Sequence, residues 1–466
     1  MFTNKWKISI VLLIAISMLA GCFGEKPAVE ELGEDGAGKI KILAHNEEMF
    51  YQQYGNYFNV KYPNIEFEIV STSDLYSVDK GPDYDHEKEM KKLIDKHKPD
   101  VLTLGVDMLE HYASAGKLYN LEPLIQQEKY DLQKLLPGLI DMLRSKGDGI
   151  LYGLTPTFGT QLLYYNEDLF TKHGIELPRN KMTWDEVLQL SARFANIGKG
   201  EHKVHGLFEA RSSMYDFLVK LGTVEGLKMF DTKGETLLIQ SDGWKNLIKK
   251  TTDAYRNQVI SNSAPPEKGQ SFRMMDGDLF FSGKAAMIID QEYTMHRLEN
   301  QSMYGGPDVK KMKWGFVTAP ISASAPNDSP YISTREVYAI HNDSPNKRAA
   351  WEFVKFVNGL DMANANGRTN WNGFPTITGV LKDVDGKSVE PLYMLKPTAE
   401  KHSFYGNTKN VPSEYMSQFS MESEQMLKSI VDKKKNVDQA VAEFQQKMQQ
   451  QLKKAIEEKK KKEQKK

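Results

Sequence analysis

Beyond residue 38 the apolar positions follow two periods in turn. Short apolar runs at 39–44, 65–70 and 100–104 predict strands, and the stretches 47–60 and 87–97 between them carry apolar residues at helical spacing. The turn Tyr62-Pro63-Asn64 separates the first helix from the second strand. This β-α-β-α-β order predicts an α/β lobe on a mostly parallel sheet. Further strands are expected at 161–165, 206–208, 285–289, 314–317 and 336–340. Two helix starts are well marked. Thr183-Trp184-Asp185-Glu186 has the spacing of a capping box ahead of Val187, Leu188, Leu190 and Phe194. Ser344-Pro345 supplies an N-cap and a first-turn proline before Ala349, Ala350, Phe353, Val354 and Val357. From 413 to 456 the pattern is helical with few breakers, and no repeat of 20–50 residues occurs. Trp184 and Trp351 fall inside helix patterns and read as core. The tandem Tyr164-Tyr165 lies in a strand, which sends one ring inward and one outward.

The chain of 466 residues exceeds the ~250–300 that one hydrophobic core supports, so at least two lobes are expected. With 40% hydrophobic and 26% charged residues it has the composition of a globular protein. The net charge of −1 gives no excess of positive charge to point to nucleic acid. A single cysteine excludes any intramolecular disulfide and any Cys-based zinc site.

That cysteine sits at an informative place. Lys5 and Lys7 precede an apolar run, 8–20, which is too short for a stable span but fits a signal-peptide core. The run ends in Leu19-Ala20-Gly21-Cys22, which resembles a bacterial lipobox. The resemblance implies a diacylglyceryl (palmitate-class) lipid on Cys22 after removal of residues 1–21. Losing Lys5 and Lys7 with the leader takes the net charge from −1 to −3. Residues 22–38, rich in Gly and Glu, read as a flexible tether. At the other end, 451–466 is a Lys-rich tail; from Lys453 onward it holds eight lysines and three glutamates. It reads as a frayed helix end, with contact to anionic headgroups as the other reading.

Enzyme motifs fail one by one. No Gly-x-Ser-x-Gly elbow occurs. Gly386-Lys387-Ser388 ends like a phosphate loop, but Leu381 stands where its first glycine is required. His86-Glu87-Lys88-Glu89-Met90 lacks the second histidine of a zinc-protease helix. Asp383-Val384-Asp385-Gly386 hints at a calcium loop, yet Leu392 occupies the position of the bidentate Glu, and an Asp-Gly turn accounts for it. No cofactor, no metal and no catalytic residue is expected.

Five segments in order resemble family 1 of the extracellular solute-binding proteins, the carbohydrate receptors of ABC importers. They are Lys98-Pro99-Asp100-Val101-Leu102 with Tyr112 to Leu121, and Gly149 to Pro156 continuing through Leu163 to Phe170. Pro178 to Glu186, Phe281-Ser282-Gly283-Lys284-Ala285-Ala286-Met287, and Ser344 to Phe353 complete the set. The resemblance runs from about 39 to about 447. It implies a two-lobed periplasmic-binding-protein-like fold of type II, an N-lobe of 39–156 with 337–395, and a C-lobe of 157–336 with 396–450. Tyr152 to Pro156 and Thr334 to Ala339 would be the crossovers. The ligand would lie between the lobes at the carboxyl ends of the strands and be enclosed by hinge closure. The implied function is non-catalytic capture of a carbohydrate, of oligosaccharide size, and its delivery to permease subunits. The implied protein is a monomer held at the extracytoplasmic face of the cell membrane. A non-sugar ligand on the same scaffold (a peptide, an acidic metabolite or a metal complex) and a surface enzyme acting on polysaccharide are the alternatives.

Sugar binding calls for aromatic faces and for carboxylates, amides and guanidiniums aimed at hydroxyls. Candidates past the expected strand ends are Asn46, Asp107, Glu209, Arg211 and Asp290, with Phe158 and Thr160 beyond the first crossover. Asp107 matches, by the resemblance, a sugar-binding carboxylate; a helix cap is the other reading. Tyr293 matches a stacking aromatic. Trp371 and Asn372, in the polar loop Arg368-Thr369-Asn370-Trp371-Asn372-Gly373-Phe374, offer a second platform or an interlobe packing contact. A large aromatic of the maltose-type receptors has no counterpart near Ser420, where Phe419 is the neighbouring ring. A maltodextrin ligand is therefore not expected.

Overall fold

A computed structural model describes residues 29, 31–33, 35–76, 84–210, 212–262, 278–305, 311–367, 373–398, 408 and 411–463. The chain divides into two compact units. The first combines the chain up to Val101 with Tyr119–Asp131 and Ile340–Phe353; the second takes Leu102–Leu118, Leu132–Ala339 and Val354 onward.

In the first unit β1 (Gly38–Ala44) runs parallel to β2 (Ile65–Ser71), in register from Gly38↔Ile65 to Ala44↔Ser71. On its other side β1 pairs in parallel with the start of β3 (Val101–Leu104) at Ile42↔Val101. The expected 47–60 helix forms in three pieces, Glu47–Phe50, a π-turn at Tyr51–Gly55 and Asn56–Lys61. Its inner face delivers Phe50 and Phe58 to Phe67 and Phe353, with ring centroids 4.8–5.7 Å apart.

Asp100 ties this unit together. It is buried, and its carboxylate accepts from Lys41 N (2.8 Å), Ser344 Oγ (2.6 Å) and Asn346 Nδ2 (3.2 Å). Ser344 is thus turned to Asp100, and the helix expected to open at Pro345 runs over Lys347–Val357. Residues within the stretch read as tether also make contacts. Val29 is buried, Glu31 pairs with Arg348 at 3.3 Å, and Asn64 Nδ2 donates to Asp35 O at 2.7 Å.

The second unit is built on a sheet ordered β10-β6-β9-β7-β8. Its strands are β6 (Gln161–Asn166), β7 (His205–Glu209), β8 (Ile260–Asn262), β9 (Ala285–Gln291) and β10 (Trp314–Thr318). The β9-β7-β8 half is parallel, whereas β6 runs antiparallel to both β9 and β10. Helices cover it: Trp184–Ala192 with the expected capping box, Met214–Val224 and Asp242–Arg256. β7 lies close against the first of these. A Cβ at Gly206 would stand 2.2 Å from Ser191 O, so only glycine allows that approach. The C-terminal helices Ser413–Val431 and Val437–Glu463 join the same core, which includes Leu452 and Ile456. The first residues of the stretch read as a tail are therefore packed. Trp184, Trp351 and Tyr164 are buried as expected.

Shorter strands fill out the fold. β4 (Gly153–Leu154) pairs antiparallel with β13 (Val337–Ile340). β5 (Thr157–Gly159) lies between β12 (Ser333–Thr334) and β14 (Phe374–Pro375). β11 (Asp328–Ser329) pairs with β17 (Lys396–Pro397). β15 (Asp383–Val384) and β16 (Lys387–Ser388) form a hairpin whose turn, Asp385-Gly386, has positive φ at both residues. That geometry is the expected Asp-Gly turn.

Candidate functional site

Parallel strands that end together bring the residues just past them to one edge. The ladder aligns Glu209 with Asn262, and Phe208 with Ile288, so Asp290 falls beside the end of β7. Because β6 is antiparallel to β9, its beginning meets the same edge through Gln161↔Gln291 and Leu162↔Asp290. One edge of the second-unit sheet thus gathers Thr160, Gln161, Glu209, Asn262 and Asp290, with Tyr293 in the first turn of the helix that follows.

Glu209 is the most heavily desolvated of these at 1% exposure. Lys220, from the Met214–Val224 helix, forms an ion pair with its Oε2, while Oε1 has no hydrogen-bond partner among the described residues. Burial pushes the Glu209 carboxyl above the usual range, and the Lys220 ammonium opposes the shift. Asn262 Nδ2 donates to Ser212 O at 2.8 Å and reaches Tyr255 Oη at 3.4 Å. Burial, then the charge of Glu209, raises the Tyr255 phenol, which therefore stays a neutral hydroxyl. Asp290 accepts from Gln291 N (2.9 Å) and Thr294 Oγ1 (2.6 Å), holding the start of the Glu292–Glu299 helix. Tyr293 stands 42% exposed on that helix.

A second ionic pair flanks the edge. Glu292 is buried and pairs with the half-exposed Arg335. A Cβ at Gly159 would stand 3.6 Å from both Glu292 carboxylate oxygens, so the main chain of β5 passes close to this acid. Gln161 Oε1 and Thr334 Oγ1 are buried without partners among the described residues. Buried acceptors and hydroxyls without partners among the described residues are suited to hydrogen-bonding a polyhydroxylated ligand.

The sequence-derived candidates divide as follows. Thr160, Glu209, Asp290 and Tyr293 come together at the edge. Phe158 is fully buried in β5, with its ring 5.8 Å from that of Phe374 and 5.6 Å from that of Tyr393. It packs, and presents no face. Asn46 caps the helix beginning at Glu47, its Oδ1 accepting from Met49 N at 2.8 Å. Asp107 is exposed in the first turn of the Val106–Ser114 helix, whose N-cap is Gly105, so it does not serve as the cap. Arg211, Trp371, Asn372 and Cys22 lie outside the described residues. Sequence reading missed Lys220, Asn262, Gln161, Glu292 and Arg335 as site residues. Asn262 could have been found as the polar end of the Ile260-Ser261 run, and Glu292 as the neighbour of Asp290. The Glu292–Arg335 pairing has no local signal, because 43 positions separate the two. Among the described residues no cluster of three metal-ligating side chains occurs, and no helix is long and apolar enough to cross a membrane.

Comparison with known proteins supplies the family. The profile of the bacterial extracellular solute-binding proteins matches residues 45–362. The arabinooligosaccharide-binding protein of Bacillus subtilis (strain 168) is 23% identical over 242 residues, 51% of each chain. The chain thus spans about half the length of the curated relatives it matches. Among solved structures, a sugar transporter from Rhizobium etli in an open conformation aligns over 88% of this chain and 98% of its own, with a TM-score of 0.62 and 19% identity. The sugar-binding protein of the phytopathogen Xanthomonas citri aligns over 89% and 98%, at 0.61 and 17%. At such identity the likeness establishes the fold, the two-lobed type II periplasmic-binding-protein-like class. The match of the family profile over more than half of the sequence goes further: the chain belongs to the bacterial extracellular solute-binding proteins.

Proposed function

We propose that the chain is the substrate-binding receptor of an ABC importer, taking a carbohydrate of oligosaccharide size and passing it, unchanged, to membrane permease subunits. The observation that carries this reading is the sheet edge bearing Glu209, Asn262 and Asp290, with a buried carboxylate oxygen that has no hydrogen-bond partner among the described residues and an exposed tyrosine ring beside it. Carboxylates and amides aimed at hydroxyls, with an aromatic face for C–H surfaces, are what a sugar needs and what a hydrolase mechanism alone does not explain. The printed ligands of relatives agree in class. One is named for arabinooligosaccharides, and a Listeria monocytogenes substrate-binding protein of similar fold (TM-score 0.53) is in complex with cycloalternan.

The reading has further parts. Cys22 carries a lipid, which holds a monomeric protein on the outer face of the cell membrane. The lobes are 39–156 with 337–395 and 157–336 with 396–450. Asn46, Arg211, Trp371 and Asn372 add to the ligand contacts.

A thermal-shift screen against mono- and oligosaccharides tests the proposal. A ligand at 100 times its dissociation constant raises native stability by about 2.7 kcal/mol. No shift with any sugar, alongside a shift with a peptide or an acidic metabolite, would move the chain to another ligand class. A recovered sugar that had been cleaved would make it an enzyme.

A further inference from the structure

The second unit holds a cavity of about 650 Å³ at the end of its sheet away from the candidate edge. β6 starts at that edge with Gln161, opposite Gln291, and ends with Asn166, opposite Trp314, which lines the cavity. Five steps of about 3.3 Å put the two places roughly 17 Å apart along the strand. The aromatic rings inside are not open for stacking. Trp314 and Phe316 are buried, and the Lys387 ammonium, paired with Asp385 at 2.8 Å, sits 4.1 Å from the centroid of the Trp314 ring.

Glu299 is placed against the interests of the fold. It closes the Glu292–Glu299 helix, where the negative end of the helix dipole disfavours a carboxylate. It is half-buried in the cavity wall and makes no hydrogen bond or ion pair with any described residue. Burial, then the charge of Asp385, pushes its carboxyl above the usual range, and Lys387 opposes the shift. An acid that folding does not call for is a conflict of the kind that collects at functional positions. Tyr165 lines the same cavity. Its hydroxyl lies against Gly315, where a Cβ would stand 2.2 Å from it, and has no hydrogen-bond partner among the described residues. The wall as a whole carries four carboxylates against three lysines, so one negative charge is left over.

We infer that this cavity is a second ligand site, taking a small hydroxylated amine of the amino-sugar class, with the ammonium on Glu299 and hydroxyls toward Tyr165. The chemistry of the wall selects this ligand. An anion would meet the surplus negative charge. A neutral sugar would leave Glu299 uncompensated and find no open ring to stack on. An ammonium makes a charge-assisted hydrogen bond to the half-buried carboxylate, and its neighbouring hydroxyls can bond the phenol. The inference is independent of which ligand the sheet edge takes.

Calorimetric titration of the full chain with glucosamine and with N-acetylglucosamine, which lacks the cation, tests it. Glucosamine should bind about tenfold more tightly than the acetylated form, or better. Glu299→Gln should weaken glucosamine by about tenfold or more, and Tyr165→Phe by a smaller factor. Without ligand, Glu299→Gln should unfold at the parent's midpoint or above it at neutral pH, because a carboxylate whose folded-state value is raised costs stability there. Equal binding of the two sugars, or no binding of glucosamine, overturns the inference. So does an unchanged affinity in Glu299→Gln or Tyr165→Phe, which would put the amine elsewhere on the chain. A lowered midpoint in Glu299→Gln would make the carboxylate structural and overturn it as well.

Discussion

Glu209 and Lys220 form an ion pair in which the acid is buried and the base is not: the carboxylate side chain is 1% exposed and the lysine 26%. Lys220 is the cation that compensates the acid, on Oε2. Removing that partner should be costly, because an unpaired buried charge remains.

Lys220→Met should lower stability at neutral pH by about 3–5 kcal/mol. The direction with pH follows from linkage. Glu209 has a raised folded-state value, so its contribution is present below the ordinary glutamate range and lost as pH rises through the raised value. Without Lys220 that value rises further and the loss extends to higher pH. Unfolding midpoints across pH for Lys220→Met and for Lys220→Met/Glu209→Gln check this. The double variant should recover most of the loss and lack the pH dependence.

A chain beginning at Lys39 should be less stable than one beginning at Ala28 by about 1–3 kcal/mol. It loses the buried Val29 and the 3.3 Å contact of Glu31 with Arg348. Arg348 also holds Glu128 at 2.9 Å, so its own position survives and the loss stays modest. Denaturant midpoints of the two chains provide the comparison; identical midpoints would mean that the strap contributes nothing.

The sequence was legible where periodicity decides. The strands at 39–44, 65–70, 161–165, 285–289 and 314–317 formed within two residues of expectation, because alternating and continuous apolar runs specify burial directly. Thr183 and Glu186 made their capping box because both partners lie within four residues. The site was legible only by half. Glu209 and Asp290 end apolar strands and can be found by reading, but Lys220 reaches Glu209 from the next helix and Arg335 reaches Glu292 from 43 residues away. Phe158 misled for the opposite reason. A residue beyond a crossover looks accessible, yet β5 is the middle strand of a three-stranded sheet, and Phe374 and Tyr393 close over its ring.

Truncation at the C-terminus should be tolerated to Ile456 and no further. A chain ending at Gln451 loses Leu452 and Ile456 from the core of the second unit, and each large-to-nothing deletion of this kind costs about 2–5 kcal/mol. A chain ending at Ile456 keeps both. Thermal unfolding should separate the two by a depressed midpoint in the shorter chain, with the longer one close to the full chain.

The two aromatic candidates, Tyr293 and Phe158, should respond oppositely to removal. Tyr293 is 42% exposed, so Tyr293→Ala should leave the unfolding midpoint within about 0.5 kcal/mol of the parent. If its ring stacks on a sugar, the same change should weaken binding by about 2–4 kcal/mol, as hot-spot aromatics do. That corresponds to roughly 30- to 700-fold in dissociation constant. Phe158 is fully buried between Phe374 and Tyr393, so Phe158→Ala should cost about 3–5 kcal/mol of stability. Its effect on affinity, measured below the lowered midpoint, should be small, because the ring offers no face to a ligand. Calorimetric titration with the best sugar from the screen, paired with unfolding of each ligand-free variant, reads both quantities. An unchanged affinity for Tyr293→Ala would remove the exposed ring from the site and leave recognition to the polar edge of Glu209, Asn262 and Asp290 alone.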